Sequence, residues 1–105
     1  MAKIPNKIKK IVNDYLKTLQ DNNIPIKRAV LFGSYVRGNY TEFSNIDLAI
    51  VTDIFEGTRF ENKNKIRHIT ILFSSNIEVL PFSPQDFTPE DPFVREILET
   101  GVPIV

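Results

Sequence analysis

The chain has 105 residues, no cysteine, a single histidine and a formal net charge of zero. That length fits one domain, residues 1–105, with one modest core, and 42% hydrophobic residues including eight Phe argue against disorder. Without cysteine there is neither a disulfide scaffold nor a zinc-thiolate site, and the lone His68 rules out a His-rich metal centre. No apolar run approaches the ~20 residues that cross a bilayer. Met1 to Lys10 interleaves charge with Ile rather than forming a signal core, so a cytoplasmic protein with no membrane partner is expected. Charge is unevenly spread: residues 1–28 carry seven Lys or Arg against Asp14 and Asp21, and residues 76–105 carry six Asp or Glu against Arg95. A solvated face on each terminal helix accounts for this, and the same layout can steer a charged ligand to one end.

Ile4, Ile8, Ile11, Val12, Tyr15, Leu16 and Leu19 recur at three- and four-residue spacing, which predicts a helix from about Pro5 to Gln20 with one apolar stripe. Asp21-Asn22-Asn23 ends it. After Pro25 the short continuous run Ala29-Val30-Leu31-Phe32 has the pattern of a strand buried on both faces, and it stops at Gly33. Ser34 to Arg37 can form a short helix that Gly38-Asn39 closes. Ile46 to Val51 reads as a second strand, with Ile46, Leu48 and Ile50 on one face and Asn45, Asp47 and Ala49 on the other.

Residues 52–64 are polar and read as a loop running into a helix. Residues 66–73 suit either element, since Ile66, Ile69 and Phe73 fit a helical face while Ile69-Thr70-Ile71 favours a strand; helix is the expectation. Ile77 to Pro81 is a third strand, preceded by Ser74-Ser75-Asn76. Pro92 to Thr100 reads as a helix with Pro at its start and Gly101 at its end, followed by an extended tail, Val102 to Val105. There is no repeat, low-complexity tract or linker.

A strand that ends in Gly33-Ser34 and turns at once into a helix is the strongest local signal. Glycine lets the backbone come close to a ligand, and the free N–H groups of a helix start, with the Ser34 hydroxyl, can bind phosphate oxygens. A Gly-Ser pair alone is usually a turn and a cap. Register changes the weight: Gly33, Ser34, Gly38, Ser44 and Asp47 together arise by chance about once in a million start positions at ~5–7% usage each.

The segment Gly33-Ser34, ten further residues, then Asn45-Ile46-Asp47 resembles the signature of the DNA polymerase β-like nucleotidyltransferases. It is most similar to the minimal nucleotidyltransferases of prokaryotes, among them the MntA-type antitoxins, which carry Gly-Ser, ten residues and Asp-x-Asp. Ile77-Glu78-Val79-Leu80 is similar to the strand bearing that family's third carboxylate, and Pro92 to Gly101 resembles its closing helix. The resemblance implies an α/β (α+β) fold, a small mixed-sheet palm. Three strands near 28–32, 46–51 and 77–81 would carry helices 5–20 and 92–100 packed on one face. It also implies transfer of AMP from ATP, with Mg²⁺, to a hydroxyl acceptor. In that family the acceptor can be a tyrosine on a small helical HEPN-type toxin, the nucleotidyltransferase being the antitoxin. With no second domain to close the cleft, another chain would supply the missing wall.

The chemistry accounts for the residue types. Nucleotidyl transfer spreads negative charge over phosphoryl oxygens, and catalysis is mainly positioning plus neutralisation by Mg²⁺. Positions 45 and 47 leave the same face of a strand and can converge on one ion, so Asn45, Asp47 and Glu78 are the candidate metal ligands. Asp47 and Glu78 are the candidate catalytic pair, Glu78 as proton acceptor if its strand neighbours the second. Gly33, Ser34 and Arg37 are the candidate nucleotide-binding residues. Taken singly, Asp47 reads as a strand-end carboxylate in water, Glu78 as an edge-strand charge, and Arg37 and His68 as surface residues. A nucleic-acid partner is disfavoured because no Lys/Arg stripe interleaved with aromatics follows these residues.

Asn45 departs from the pattern. Its amide offers a carbonyl oxygen but no charge, and a loss of roughly 1–3 kcal/mol would slow the chemistry roughly 5- to 150-fold. A weak enzyme, a non-catalytic nucleotide-binding or partner-binding module, and an engineered substitution all fit the amide.

Overall fold

The computed structural model describes residues 4–56, 59–73 and 76–105, with the backbone alone for residues 59 and 60. Helix α1, Asn6–Asp21, buries Ile8, Val12, Tyr15, Leu16 and Leu19, the stripe its spacing dictates. It ends where Asn23 takes a left-handed conformation, φ 65°, and the Ile24 and Asn23 N–H groups donate to the Leu19 and Gln20 carbonyls, 3.0 Å each. That is a Schellman closure with Asn in place of the usual glycine.

Strand β1, Arg28–Phe32, runs through Gly33 into helix α2, Ser34–Arg37, which Gly38 closes in the left-handed region. Strand β2 is Ile46–Val51, helix α3 Arg59–Thr70 and strand β3 Ile77–Phe82. Helix α4, Pro92–Thr100, starts with Pro at N1 and with the Asp91 carboxylate accepting from the Phe93 N–H at 2.9 Å. The tail forms strand β4, Val102–Pro103. The helix expected over 66–73 is present but starts earlier, at Arg59, and residues 71–73 form a turn. The Ser74-Ser75 turn expected before β3 lies outside the described residues.

The strands form one mixed sheet in the order β3-β2-β1-β4, with β2 and β3 parallel and the other two pairs antiparallel. This matches the mixed α+β class expected from the sequence, with a fourth strand added. The tail pairs along β1, Leu31 opposite Val102, and the Ile104 N–H donates to the Ala29 carbonyl at 2.7 Å.

Both sheet faces are covered, which corrects the expectation that the helices near 5–20 and 92–100 share one. Ala29, Leu31, Leu48, Ile50, Ile77 and Val79 pack with α1 and with Ile66 and Ile69 of α3. Val30, Ala49, Val51 and Phe82, which point the other way, pack with Phe87 and with Val94 and Ile97 of α4. The cause is in β1 itself: Ala29-Val30-Leu31 is apolar on alternating sides, so water must be kept from both faces. Among the described residues no helix is long and apolar enough to cross a membrane.

Tyr15 ties α1 to α3. Its ring is fully buried, stands edge-on to Phe73 at 5.3 Å, and its hydroxyl shares a 2.7 Å hydrogen bond with the Thr70 hydroxyl. Burial pushes the phenol up to about 12, partly offset by the Thr70 bond. We expect Tyr15→Phe to keep the packing and lose the hydrogen bond, lowering unfolding free energy by about 1 kcal/mol, read as a lower urea midpoint at unchanged slope.

Candidate active site

Sheet register sorts the second face into rows. Arg28, Val51 and Phe82 stand opposite one another, then Val30, Ala49 and Leu80, then Phe32, Asp47 and Glu78. Apolar side chains fill most of the face, and Val94 and Ile97 of α4 cover them. The row next to Gly33 is the one that carries carboxylates. Asp47 and Glu78 are direct partners on parallel strands, so their side chains leave the same face from backbones about 4.8 Å apart.

Gly33 brings the turn to this row. Its backbone, φ 83° and ψ −152°, lies in a region open to glycine alone, and a Cβ there would overlap the Asp47 carboxylate. The α-carbon of residue 33 is thus the floor on which Asp47 rests. In α2 the Val36 and Arg37 N–H groups donate to the Gly33 carbonyl at 3.1 and 3.0 Å. The N–H groups before them are those a helix start leaves without an intrahelical partner.

A cleft of about 140 Å³ opens here, lined by Phe32, Gly33, Arg37 and Asp47 and walled by Phe93, Glu96, Ile97 and Thr100 of α4. The Phe93 ring stands edge-on to Phe32 at 6.1 Å and holds the helix against the strand. Burial raises the Asp47 carboxyl above its ordinary value, and the negative charge of Glu78 raises it further, while the Arg37 guanidinium pulls it back down.

Three of the expected residues, Gly33, Arg37 and Asp47, therefore meet around one cleft, and Glu78 is beside them across the β2/β3 register. Ser34 is the first residue of α2 and half-buried, and Gly33 before it is the helix's N-cap. Asn45 is exposed just before β2, two residues from Asp47. Ser44, part of the same register, closes a turn: its hydroxyl accepts from the Thr41 N–H at 2.8 Å, and its N–H donates to the Thr41 carbonyl at 3.1 Å. Exposed His68 sits on α3. Among the described residues no three His, Cys, Asp or Glu gather as a metal site, and the carboxylates paired in register are Asp47 and Glu78.

One neighbour is absent from the sequence reading. Lys63 of α3 places its ammonium 3.0 Å from a Glu78 carboxylate oxygen. It lies in the polar stretch 52–64, read as a loop running into a helix, and helical spacing back from Ile66 is the signal that puts it on α3. Glu96 and Thr100 were likewise read only as parts of a helix.

A strand turning at glycine into a short helix, with carboxylates on the next two strands beside the turn, is the arrangement of a nucleotidyltransferase palm. The chain matches the nucleotidyltransferase domain family over residues 6–104. It is 32% identical over 99 residues to the "Putative protein adenylyltransferase MJ0141" of Methanocaldococcus jannaschii, covering 92% of this chain and 94% of that protein. A shorter match, 62% over 29 residues, covers 28% of this chain and 29% of the "Putative protein adenylyltransferase MJ0604" of the same organism. The chain belongs to the nucleotidyltransferase domain family. Its fold is also that of a "putative nucleotidyltransferase" from Sulfolobus solfataricus, with TM-score 0.63 and 17% identity over 92% of this chain and 78% of that one. A crystal structure described as a "toxin-antitoxin with AMP-PNP" shares the fold at TM-score 0.56 and 20% identity, over 88% of this chain and 71% of that one.

Two substitutions separate geometry from charge. Because the Asp47 carboxyl is held above its ordinary value, ionising it costs the folded state more than the unfolded one. Asp47→Asn should raise Tm at neutral pH, with the difference vanishing below the ordinary carboxylate range; a pH series of melts checks this. Gly33→Ala should lower unfolding free energy by about 1–3 kcal/mol and shift Asp47, read from denaturant unfolding and the Asp47 carboxyl chemical shift.

Proposed function

We propose that this protein transfers AMP from ATP to a hydroxyl on a partner protein. The observation that carries the reading is the Asp47 carboxylate resting on Gly33 at the start of α2, with Glu78 as its register partner. The relative named "Putative protein adenylyltransferase MJ0141", matched over 94% of its length, supports the reaction class.

In this reading the Gly33 turn, the Ser34 hydroxyl and the first N–H groups of α2 hold phosphate oxygens, and Arg37 adds positive charge on the same side. The donor set fits a hard divalent cation: two carboxylates in register, a nearby amide carbonyl at Asn45, and a like-charge pair whose repulsion already disfavours the ionised Asp47. Asp47, Glu78 and Asn45 would hold Mg²⁺, which when bound neutralises charge on the phosphates. The acceptor oxygen attacks the α-phosphorus as the bond to the β-phosphate oxygen breaks. Pyrophosphate leaves, and Glu78 takes the acceptor's proton.

The acceptor we favour is a tyrosine on a small helical HEPN-type toxin, which would make this chain its antitoxin. The shared fold with a toxin-antitoxin structure and the open side of the cleft motivate that partner. A second reading, a module that neutralises its partner by contact alone, is favoured by the exposed Asn45 amide where a carboxylate is expected.

Labelled ATP, Mg²⁺ and the product of the adjacent reading frame discriminate the two. The transferase reading expects label on the partner, lost in Asp47→Asn and raised roughly 5- to 150-fold in Asn45→Asp. A partner that is neutralised yet unlabelled by both the parent and Asn45→Asp would leave only the contact module.

A further inference from the structure

Glu78 has two neighbours of opposite charge. Across the sheet stands Asp47, whose carboxyl feels the Glu78 charge, and Arg37 lies beyond it in the cleft. On its other flank α3 packs against β3 and delivers Lys63, Nζ to Oε1 3.0 Å. The two side chains are 42% and 49% exposed, so their ion pair is wet, weakly held and readily exchanged. Lys63 and Glu78 also line a groove of about 390 Å³ together with Arg67, so a second cationic side chain stands on the same rim.

From this geometry we propose that Lys63 is a tethered counter-ion: it competes with a divalent cation for Glu78, and it turns to the phosphates when a nucleotide enters. The inference rests on the site reading given under the proposed function. A monovalent ammonium on a flexible four-carbon stem neutralises Glu78 without filling the coordination shell of a metal. While it is there, a divalent cation must displace it and then sit beside its charge. A polyphosphate reverses the balance, because its oxygens offer the ammonium more negative charge than one half-exposed carboxylate does. Glu78 is then free to bind metal in the presence of nucleotide. Around the cleft and the groove Asp47, Glu78 and Glu96 are set against Arg37, Lys63 and Arg67, so the formal charges cancel and the site has no strong pull on a bare divalent ion until phosphates arrive.

Mn²⁺ titration of the full chain, followed by the loss of the free-ion electron paramagnetic resonance signal, tests this without any turnover. In the absence of nucleotide we expect Lys63→Gln to bind Mn²⁺ about tenfold more tightly than the parent, since a unit charge ~5 Å from a divalent ion repels it by about that factor even in water. Lys63→Glu should bind more tightly still, and the gain should vanish when Glu78→Gln is added to Lys63→Gln. A non-hydrolysable ATP analogue should tighten Mn²⁺ binding more in the parent than in Lys63→Gln. Mn²⁺ affinity in Lys63→Gln equal to or below the parent's, or a gain that survives Glu78→Gln, overturns the proposal. Asp47→Asn serves as the separate control. If it binds Mn²⁺ and the analogue as the parent does, the site reading itself fails. If it loses both while Lys63→Gln gains nothing, only the role of Lys63 fails.

Discussion

The Asp47 carboxylate occupies space that any side chain on residue 33 would fill. That single exclusion couples the sequence signal to the sheet. Glycine at residue 33 is favoured on conformational grounds, because a φ of 83° with ψ −152° strains any other residue, and a Cβ there would also push the Asp47 carboxylate aside. The same turn ends β1 one residue after Phe32, the register partner of Asp47. Moving the pairing by one residue would send Asp47 into the face packed by α1 and bring Leu48 to the turn. The apolar alternation of β2, with Ile46, Leu48 and Ile50 buried on the α1 side, therefore fixes where the acid stands. Burying the core and aiming the carboxylate are one constraint.

The second face shows how such an acid is tolerated. Helix α4 covers the rows of Val30, Ala49 and Val51 through Val94 and Ile97, and leaves its Glu96 and Thr100 lining the cleft beside Asp47. Glu78 stays about half exposed on the edge strand β3, where water screens it. Asp47, on the inner strand, bears the greater desolvation, and its raised carboxyl value records that cost. A helix placed to close the whole face would have made the core larger and the acidic row untenable.

Local pattern carried much of this into the sequence. The stripe of α1, the Gly33 turn, the alternation of β2 and the Pro92 to Gly101 limits of α4 each depend on residues within a few positions of one another. What escaped depends on distant partners. Val102–Pro103 is too short to read as a strand and becomes one because β1 offers a free edge. Lys63 is a polar residue among polar residues until α3 packs on β3 and sets it against Glu78, fifteen positions away. The side of the sheet taken by α4 is a different case. An apolar run without alternation at Ala29-Val30-Leu31 already required cover on both faces, so one helix on each side follows from a pattern that was in view.

Asn45 and Lys63 act in the same direction on the proposed chemistry. The amide adds no negative charge at the foot of β2, and the ammonium cancels one on β3, so that Asp47, Glu78 and Glu96 are matched by Arg37, Lys63 and Arg67. A cleft so balanced has little to offer a free divalent ion, whose binding here would rest on charge that the protein does not supply. ATP brings that charge on its phosphates. On the proposed reading, metal and nucleotide thus enter most favourably as one complex. The Gly33 turn and α2 would then receive the phosphates, and Asp47 and Glu78 would help to hold the ion that neutralises them. On that reading the affinity of the site would depend on the Gly33 turn more than on its acids. That is consistent with where the fold is least forgiving: a glycine in a backbone region that other residues rarely enter, beside a carboxylate that lies against it.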